Sequence, residues 1–237
     1  MLCSVIGQAQ LIESLSLQLG PKIEFYNSES GRVDLIPHVD AGFGLTASRS
    51  IQEHWELKVG FYKRDFTAKY EINQFEQASG QEEVYFENYA YPGFSSYQLA
   101  VMPSYLTYLS QNSALYYSAG LVMYINKKLN RKGTETRTDV ILDADQMPVS
   151  SLEMTTYANQ FEGGNFFIRS EIGYLHNIND YLAFDVSLNF NFSSLEHQSF
   201  KLEFTDDLKG TTQDRIYTRG LGLGLNVGVK IDLDFRD

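Results

Sequence analysis

A chain of 237 residues with a net charge of −11 is long enough for one folded domain and too acidic to attract nucleic acid. Its single cysteine excludes an internal disulfide and zinc sites built from several cysteines. No run approaches the roughly 18 apolar residues that a membrane helix needs. Aromatic residues make up 14% of the chain although the mean hydropathy is only −0.27, which is typical of membrane strands whose alternate side chains face a polar interior.

The first residues are set apart from the predicted domain. Residues 1–9 have the character of the apolar end of a secretory signal, closing with a small-x-small pattern at 7–9. We expect cleavage before Gln10 and a single β-barrel domain over residues 10–237. A short unstructured N-terminus is the alternative, because no basic residue precedes the apolar stretch. Cys3 has no small residue before it, so a lipoprotein anchor is not expected.

Alternation of apolar and polar side chains predicts strands along the rest of the chain, because successive side chains of a strand point to opposite faces. The first four predicted strands cover residues 15–25, 38–45, 55–72 and 97–109. Pro21 and Pro103 interrupt two of them, since proline cannot donate a backbone hydrogen bond. In the third strand the apolar parity changes, which predicts a β-bulge between Tyr62 and Asp65. Such a bulge would keep the later apolar residues, including Tyr70, on the outside.

Four further strands are predicted at residues 114–126, 165–176, 182–192 and 221–235. The last shows the clearest pattern, since its odd-numbered residues are apolar and the residues between them are small or charged. We expect the seventh strand to continue on one parity through Phe200 and Leu202 to Phe204. Pairing of Phe204 with Gln213 would then form a hairpin that protrudes beyond the membrane.

The connections between the predicted strands alternate in length. Short connections fall at 48–54, 110–113 and 177–180, and longer ones at 73–96, 127–164 and 193–218. The first hairpin, through Asn27 to Gly31, is an exception, since it is short although it falls where a long connection is expected. This alternation is typical of transmembrane barrels, which have tight periplasmic turns and long outer loops. We therefore predict an all-β fold: a closed, antiparallel, up-and-down transmembrane β-barrel of about eight strands with long outer hairpins. An even number of strands leaves both termini in the periplasm.

Polar residues on the face opposite to the apolar one are expected to fill the inside of the barrel. Eight strands enclose just enough room for side chains, which argues against a water-filled pore. Buried charges need partners, so we expect a network of salt bridges and hydrogen bonds across the interior. The expected members are Lys22, Glu24, His38, Asp40, Glu56, Lys58, Arg169, Glu171, Asp185, Lys230, Asp232 and Asp234.

The C-terminal strand carries the one short motif that points to a family. Its polar-x-Gly-x-x-apolar-x-apolar pattern resembles the signal that the outer-membrane assembly machinery reads. That motif consists of Asn226, Gly228, Ile231, Leu233 and the nearby Phe235. The family pattern ends on an aromatic residue, whereas two further residues follow Phe235 here.

Together with the strand count, residues 10–237 resemble the small bacterial outer-membrane β-barrel families of the OmpA, OmpX and PorT-like kinds. The resemblance implies the cell outer membrane of a Gram-negative bacterium as the location. It implies outer-membrane lipid and the assembly machinery as partners, and a monomer. The function expected first is a structural or surface-interaction role for a barrel with a filled polar lumen. A narrow, porin-like channel for small or hydrophobic solutes is an alternative, as is a soluble lipocalin-like barrel with the apolar faces turned inward.

A further alternative is an enzyme that modifies lipid A. His197 and Ser199 faintly resemble the His-x-Ser of lipid A deacylases, and Glu196 or Glu203 could orient the histidine. The flanking residues do not match that family, and the strand parity places His197 and Ser199 on the lumen side. We therefore expect no catalytic activity, no cofactor and no metal site.

Overall fold

The computed structural model describes residues 12–30, 33–72, 86–129, 134–142, 148–157, 165–206 and 210–233. The predicted signal segment and the predicted site residues Asp234 and Phe235 lie outside these ranges. Among the described residues, no helix is long and apolar enough to cross a membrane. The strands are β1 (Ser14–Glu24), β2 (Asn27–Ser28), β3 (Val33–Ile36), β4 (Val39–Gln52), β5 (Trp55–Ile72), β6 (Phe86–Ser110), β7 (Ser113–Leu129), β8 (Thr134–Leu142), β9 (Pro148–Tyr157), β10 (Phe166–Asn179), β11 (Leu182–Phe192), β12 (Gln198–Asp206), β13 (Gly210–Thr218) and β14 (Gly222–Asp232).

Eight of these strands form a closed barrel. Their order around it is β5-β4-β1-β14-β11-β10-β7-β6, and the pairing of β5 with β6 completes the ring. Every neighbouring pair is antiparallel. Because β1 pairs with both β4 and β14, the first and last strands of the chain meet. The predicted closed, up-and-down barrel of eight antiparallel strands is confirmed.

Tight turns join the barrel strands at one end, which we call the turn end. Two residues each separate β4 from β5, β6 from β7 and β10 from β11, at 53–54, 111–112 and 180–181. Each overlaps a turn predicted from the sequence. Short polar side chains stabilise these turns by binding the backbone two residues on: Asn179 Oδ1 accepts from the Tyr181 amide at 2.9 Å. The longer connections leave from the opposite end of the barrel.

The alternation of side chains puts apolar groups on the outside of the barrel wall. In β11, for example, Leu188 is 60% exposed while its neighbour Asn189 is 2% exposed. The same division holds in β14, where Leu225 and Val227 face outward and Asn226 is buried. A water-soluble protein places its apolar side chains the other way round. The faces predicted from the parity of these strands are therefore those observed.

Two prolines are accommodated within paired strands by local gaps in one ladder. Beside Pro21, β1 and β14 lose two residue pairs, yet the register is the same before and after the gap. Beside Pro103, β6 and β7 lose two pairs in the same way. In both cases the strand on the other side stays paired. Each gap includes a glycine: a Cβ atom at Gly20 or Gly120 would lie within 2.1 Å of a backbone oxygen of the partner strand.

A second sheet stands at the end of the barrel opposite to the turns. It has five strands in the order β2-β13-β12-β9-β8. Two long connections contribute β8 with β9 and β12 with β13, and the connection between β1 and β4 contributes β2. The predicted hairpin is present as β12 and β13. We call this end of the barrel the sheet end. Two of the three long connections expected from the sequence, 127–164 and 193–218, thus contribute strands to one continuous layer.

The predicted β-bulge between Tyr62 and Asp65 is wrong. The register of β5 with β4 and β6 is unbroken there, and the irregularity on β6 comes later, between Phe66 and Thr67. Tyr62, Phe66 and Tyr70 are all buried inside on a single parity. The change from polar to apolar along this parity reflects a change in the interior of the barrel, which becomes apolar toward the sheet end.

The expected continuation of β11 into β12 on one parity is also wrong. Phe190 pairs with Leu223 and faces outward, whereas Phe200 and Leu202 are fully buried. Phe204 pairs with Thr212, one residue from the predicted partner Gln213. The segment between β11 and β12 carries no ladder, so it breaks the alternation and allows β12 to turn its apolar face inward.

Candidate functional site: the barrel interior and the second sheet

Near the turn end, the interior holds one ion pair beside a small cavity. Lys230 Nζ donates to Glu56 Oε1 at 2.9 Å, and both side chains are half-buried. The cavity has a volume of about 190 Å³ and is lined by both residues and by Asp232. Asp232 is exposed at this rim. Leu106, Tyr116 and Leu175 form a small apolar cluster in the barrel interior.

In the middle of the barrel, two carboxyl groups meet one phenol. The Tyr116 hydroxyl lies 2.8 Å from Glu171 Oε1 and 2.9 Å from Asp185 Oδ1. Lys58 Nζ lies 3.3 Å from the centroid of the Tyr116 ring, which is a cation–π contact. Arg169 Nε lies 3.6 Å from Glu171 Oε2. All five side chains are buried, so their charges interact with each other rather than with water.

Lys22 crosses the next layer of the interior, where glycines make room for its side chain. Its Nζ binds Asn226 Oδ1, and Asn226 in turn donates to Ser187 Oγ at 3.2 Å. A Cβ atom at Gly224 would lie 2.3 Å from Lys22 Cδ, and one at Gly42 would lie 2.9 Å from Lys22 Cε. Small residues on the lumen face therefore provide the space that the long cationic side chains occupy.

Toward the sheet end, a buried ion pair joins the barrel to the second sheet. Arg64 Nη2 donates to Glu24 Oε2 at 2.8 Å, with both side chains at most 5% exposed. Glu24 Oε1 accepts from the Thr218 hydroxyl, also at 2.8 Å. Thr218 is the last residue of β13, and its Oγ1 also accepts from the Gly220 amide at 3.0 Å. One carboxylate therefore ties β1, β5 and the end of β13 together.

Apolar and aromatic side chains close the barrel above this pair. The buried cluster contains Tyr62, Phe66, Ala100, Met102, Val122, Tyr124 and Phe167. His197 packs against it, with ring centroids 5.1 Å from Tyr124 and 6.0 Å from Phe167. Gly220, at φ 73°, makes room for the histidine, because a Cβ there would lie 2.7 Å from His197 Cδ2.

The inner face of the second sheet packs onto this closure. Phe200 of β12 is fully buried, with its ring centroid 6.4 Å from Tyr26 and 6.2 Å from Tyr70. Leu202 of β12 and Ile216 of β13 are fully buried beside it in the hairpin. Burial of three large apolar side chains from one hairpin accounts for the sheet being fixed to the barrel.

The structure distributes the residues of the predicted polar network over the interior. Six are buried: Lys22, Glu24, Lys58, Arg169, Glu171 and Asp185. His38, Asp40, Glu56 and Lys230 are half-buried, and Asp232 is exposed. His38 Nε2 and Asp40 Oδ1 lie 3.6 Å apart, and Asp40 also accepts hydrogen bonds from Thr67.

The predicted assembly motif lies on β14 and just after it. Asn226 is buried in the interior, and Ile231 faces outward. Gly228 is close to the backbone of β1, because a Cβ there would lie 2.1 Å from the Leu17 carbonyl oxygen. Leu233 follows β14 and donates its amide to the Glu13 carbonyl at 2.7 Å.

Several interior residues were missed in reasoning from the sequence. Arg64 falls inside the predicted bulge, and the alternation pattern gives no signal for its pairing with Glu24. Tyr62 and Tyr116 share the lumen parity of Lys58 and Ala114, and that parity was the available signal. The interior expected from the sequence is filled with polar residues and therefore does not include these two tyrosines.

The candidate catalytic motif lies in the closure of the barrel. His197 and Ser199 are fully buried in the interior and do not reach the outer surface of the wall. The two glutamates that could orient His197 bind elsewhere: Glu196 pairs with Arg215, and Glu203 accepts from Tyr157 at 2.6 Å. The geometry therefore gives no support to a lipid-facing catalytic site. Among the described residues, no group of three or more His, Cys, Asp or Glu side chains is arranged to hold a metal ion.

The edge of the second sheet is held by one carboxylate. Asp214 of β13 accepts hydrogen bonds from Ser28 Oγ at 2.8 Å and from the amides of Ser30 and Arg215 at 3.0 and 2.6 Å. Burial alone would raise the pKa of Asp214, but these donors outweigh it and hold the pKa below its ordinary value. The carboxylate is therefore the form that fastens β2 to β13.

We predict that acid weakens this edge. A carboxyl group whose pKa is lowered by folding adds stability above its unfolded pKa, and that stability is lost as the pH falls through the lower folded value. The Ser30 amide should therefore lose protection from hydrogen exchange as the pH falls below the ordinary aspartate pKa of 3.8. At neutral pH, Asp214→Asn should raise the exchange rate about tenfold. Asp34→Asn, an equal charge change at an exposed position of β3, is the control, and equal exchange in both variants would contradict the prediction.

Comparison with known proteins shows a likeness to solved membrane barrels. No protein-family model matches the chain, and no curated protein matches it either. The fold is similar to that of Neisserial surface protein A, with a TM-score of 0.47 and 10% identity over 93% of this chain and 96% of that one. It is similar to the outer membrane protein OprG from Pseudomonas aeruginosa, with a TM-score of 0.45 and 9% identity over 93% and 97% of the two chains. The attachment invasion locus protein Ail of Yersinia pestis has a TM-score of 0.38 and 11% identity over 93% and 100%. Likenesses of this degree say nothing about activity or ligands.

Proposed function

We propose that the chain is an outer-membrane β-barrel with a sealed interior that anchors the second sheet as an interaction surface outside the cell. In this proposal the turn end and both termini are periplasmic, and the sheet end faces outward. The observation that carries it is the closure of the barrel: ion pairs fill the middle, and an apolar cluster covered by the second sheet fills one end.

The apolar exterior supports a membrane location. Lipid offers backbone groups no hydrogen-bond partners, so a sheet can cross it only when it is closed on itself, as this one is. The exposed side chains include Leu188, Ile172 and Leu121, each more than half exposed on the wall. Exposed apolar surface on this scale is costly in water and favourable against hydrocarbon. A soluble, lipocalin-like barrel would instead need these residues to point inward.

The outward face of the second sheet supports an interaction role. It carries arginine and tyrosine side chains side by side, at Arg215, Tyr217 and Arg219, and both residue types are enriched in protein interfaces. Arg215 lies between Glu29 and Glu196, and its guanidinium carbon is 5.7 Å from the centroid of the Tyr217 ring. A groove of about 480 Å³ runs beside these residues and is lined by Lys201 and Asp214 among others. The buried side chains of β12 and β13 fix the second sheet to the barrel, so its outward face keeps one orientation relative to the barrel.

Conductance in planar lipid bilayers tests the sealed interior. The full chain, refolded in detergent and shown to be folded by heat-modifiable mobility on gels, should insert and give no steady conductance. A porin added to the same bilayers is the control for insertion. Steady single-channel currents from the folded protein would contradict the proposal and favour the narrow-channel alternative.

A further inference from the structure

The Tyr116 hydroxyl contacts two carboxyl groups but has only one proton to donate. Its hydroxyl lies within hydrogen-bond distance of both Glu171 Oε1 and Asp185 Oδ1, at 2.8 and 2.9 Å. A phenol carries one proton, and an ionised carboxylate can only accept. If both carboxyls were ionised, one of the two contacts would place oxygen lone pairs against each other in a buried site. A second proton removes this conflict.

The surroundings of the two carboxyls differ, and the difference locates the proton. Glu171 Oε2 faces the Arg169 guanidinium, with Nε at 3.6 Å. Asp185 Oδ2 instead accepts from two neutral donors, Gln18 Nε2 at 2.9 Å and Ser16 Oγ at 3.4 Å. An ionised carboxylate is stabilised beside a guanidinium, whereas a neutral acid is adequately held by neutral donors. The charge therefore belongs on Glu171 and the proton on Asp185.

Among the remaining charged groups of the interior, Lys58 is the one that favours an ionised Asp185. Lys58 of β5 interacts electrostatically with both carboxyls, but its ammonium lies over the Tyr116 ring, and among the described residues it forms no ion pair with either. The polar and charged groups around the pair are Ser16, Gln18 and Lys22 of β1, Glu56, Lys58 and Tyr62 of β5, Tyr116 of β7, Arg169 of β10, Ser187 of β11 and Lys230 of β14. Lys230 is occupied by Glu56.

We propose that Asp185 is a buried proton-binding site, in which the protonated carboxyl donates from Oδ1 to the Tyr116 hydroxyl, which donates to ionised Glu171. The barrel then folds with one proton that the unfolded chain releases above about pH 4. Stability contributed by this proton is present at low pH and is lost as the pH rises. The interior of the barrel is thereby matched to acidic rather than alkaline surroundings.

The stabilities of two variants, each of which replaces one carboxyl group with an amide, distinguish a protonated Asp185 from a pair of ionised carboxylates. In Asp185→Asn, the amide nitrogen replaces the acid proton as donor to Tyr116, and the amide oxygen still accepts from Gln18. We expect the unfolding constant at pH 7 to stay within about threefold of the wild type or to decrease. Glu171→Gln leaves Arg169 buried without a charged partner, so its unfolding constant should rise about a hundredfold or more. Equal destabilisation by the two variants would overturn the proposal.

The pH dependence and infrared spectrum provide direct readouts of the proton. Between about pH 5 and pH 7, the wild-type unfolding constant should rise about tenfold per pH unit relative to Asp185→Asn. The infrared carbonyl band of a protonated carboxylic acid should be present in the folded wild type at pH 7 and reduced in Asp185→Asn. Asp232→Asn, at the exposed rim, is the matched control. It should change neither the pH dependence of unfolding nor the infrared carbonyl band. A wild-type spectrum identical to that of Asp185→Asn in this region, or a parallel pH profile, would show that Asp185 is ionised. These measurements need only the folded barrel and do not depend on what the second sheet binds.

Discussion

Replacing Arg64 with leucine should lower the free energy of unfolding by about 3–5 kcal/mol, which is the cost of leaving a buried charge without its partner. The Glu24 carboxylate that Arg64 binds at 2.8 Å is 2% exposed, so water cannot take the place of the guanidinium. The Thr218 hydroxyl would remain as a donor to the carboxylate. One neutral hydrogen bond compensates only part of the charge. The attachment of β13 to the barrel through Thr218 and Glu24 should therefore also become weaker.

Urea unfolding of the refolded protein, followed by the fluorescence of the single tryptophan, Trp55, measures this loss. Lys63→Leu removes the same charge from the neighbouring outward position of β5, where the side chain is exposed, and should have a much smaller effect. In the double variant Glu24→Gln with Arg64→Leu, most of the lost stability should return, because no unpaired charge remains. Equal midpoints for Arg64→Leu and Lys63→Leu would show that the buried pair contributes nothing.

Replacing Phe200 with alanine should cost about 3–5 kcal/mol, but the loss should fall on the second sheet rather than on the barrel. Phe200 is fully buried between Tyr26 and Tyr70, at the point where β12 packs onto the closure of the barrel. Loss of the ring would leave a cavity and remove a fully buried apolar contact between the two parts. The barrel ladders themselves do not involve Phe200 and should persist.

Limited proteolysis of the folded protein in lipid vesicles distinguishes these two effects. Cleavage within β12 and β13 should become much faster in Phe200→Ala, while the heat-modifiable gel mobility of the barrel is retained. Phe200→Leu keeps most of the side-chain volume and should cost less than about 1.5 kcal/mol. Unchanged cleavage in Phe200→Ala would mean that the sheet is not held to the barrel by this contact.

The barrel strands were predictable because one face of each meets an apolar environment and the other a polar one over a long stretch. In β14 the alternation runs without interruption from Gly222 to the region of Ile231, and its faces are those expected. The tight turns were predictable for a local reason, since Ser110 and Asn179 bind the backbone of the turns that follow them. Both signals depend on neighbours in sequence and need no knowledge of the rest of the fold.

The sheet end was not predictable in the same way. An apolar side chain such as Phe66 fits equally well against lipid or inside a closed apolar cluster, and its parity alone does not distinguish the two. Phe200 shows the same ambiguity, because the alternation of faces changes across the short segment between β11 and β12, which belongs to neither strand. A prediction that treats the whole interior as polar therefore puts the apolar side chains of two segments, the later part of β5 and β12, on the outside, whereas they lie inside.

The parity of each strand predicts which polar side chains face the interior, but it does not predict which of them bind each other. Glu24 and Arg64 are 40 positions apart, and Tyr116 is 55 positions from Glu171. Which of them meet depends on the stagger of the strands around the closed barrel, and that stagger is set by every register at once. A register predicted for one hairpin, such as that of Phe204 with Gln213, does not constrain the others.

The claim on which the account depends is that apolar side chains of the wall face lipid while their polar neighbours are enclosed. Labels attached to single cysteines test it directly, in a chain whose one native cysteine, Cys3, has been replaced by serine. In vesicles containing brominated lipid, a fluorophore at Leu225 or Val227 should be strongly quenched, and one at Asn226 should not. Quenching at Asn226 alone, or water-exposed emission from all three positions, would contradict the account.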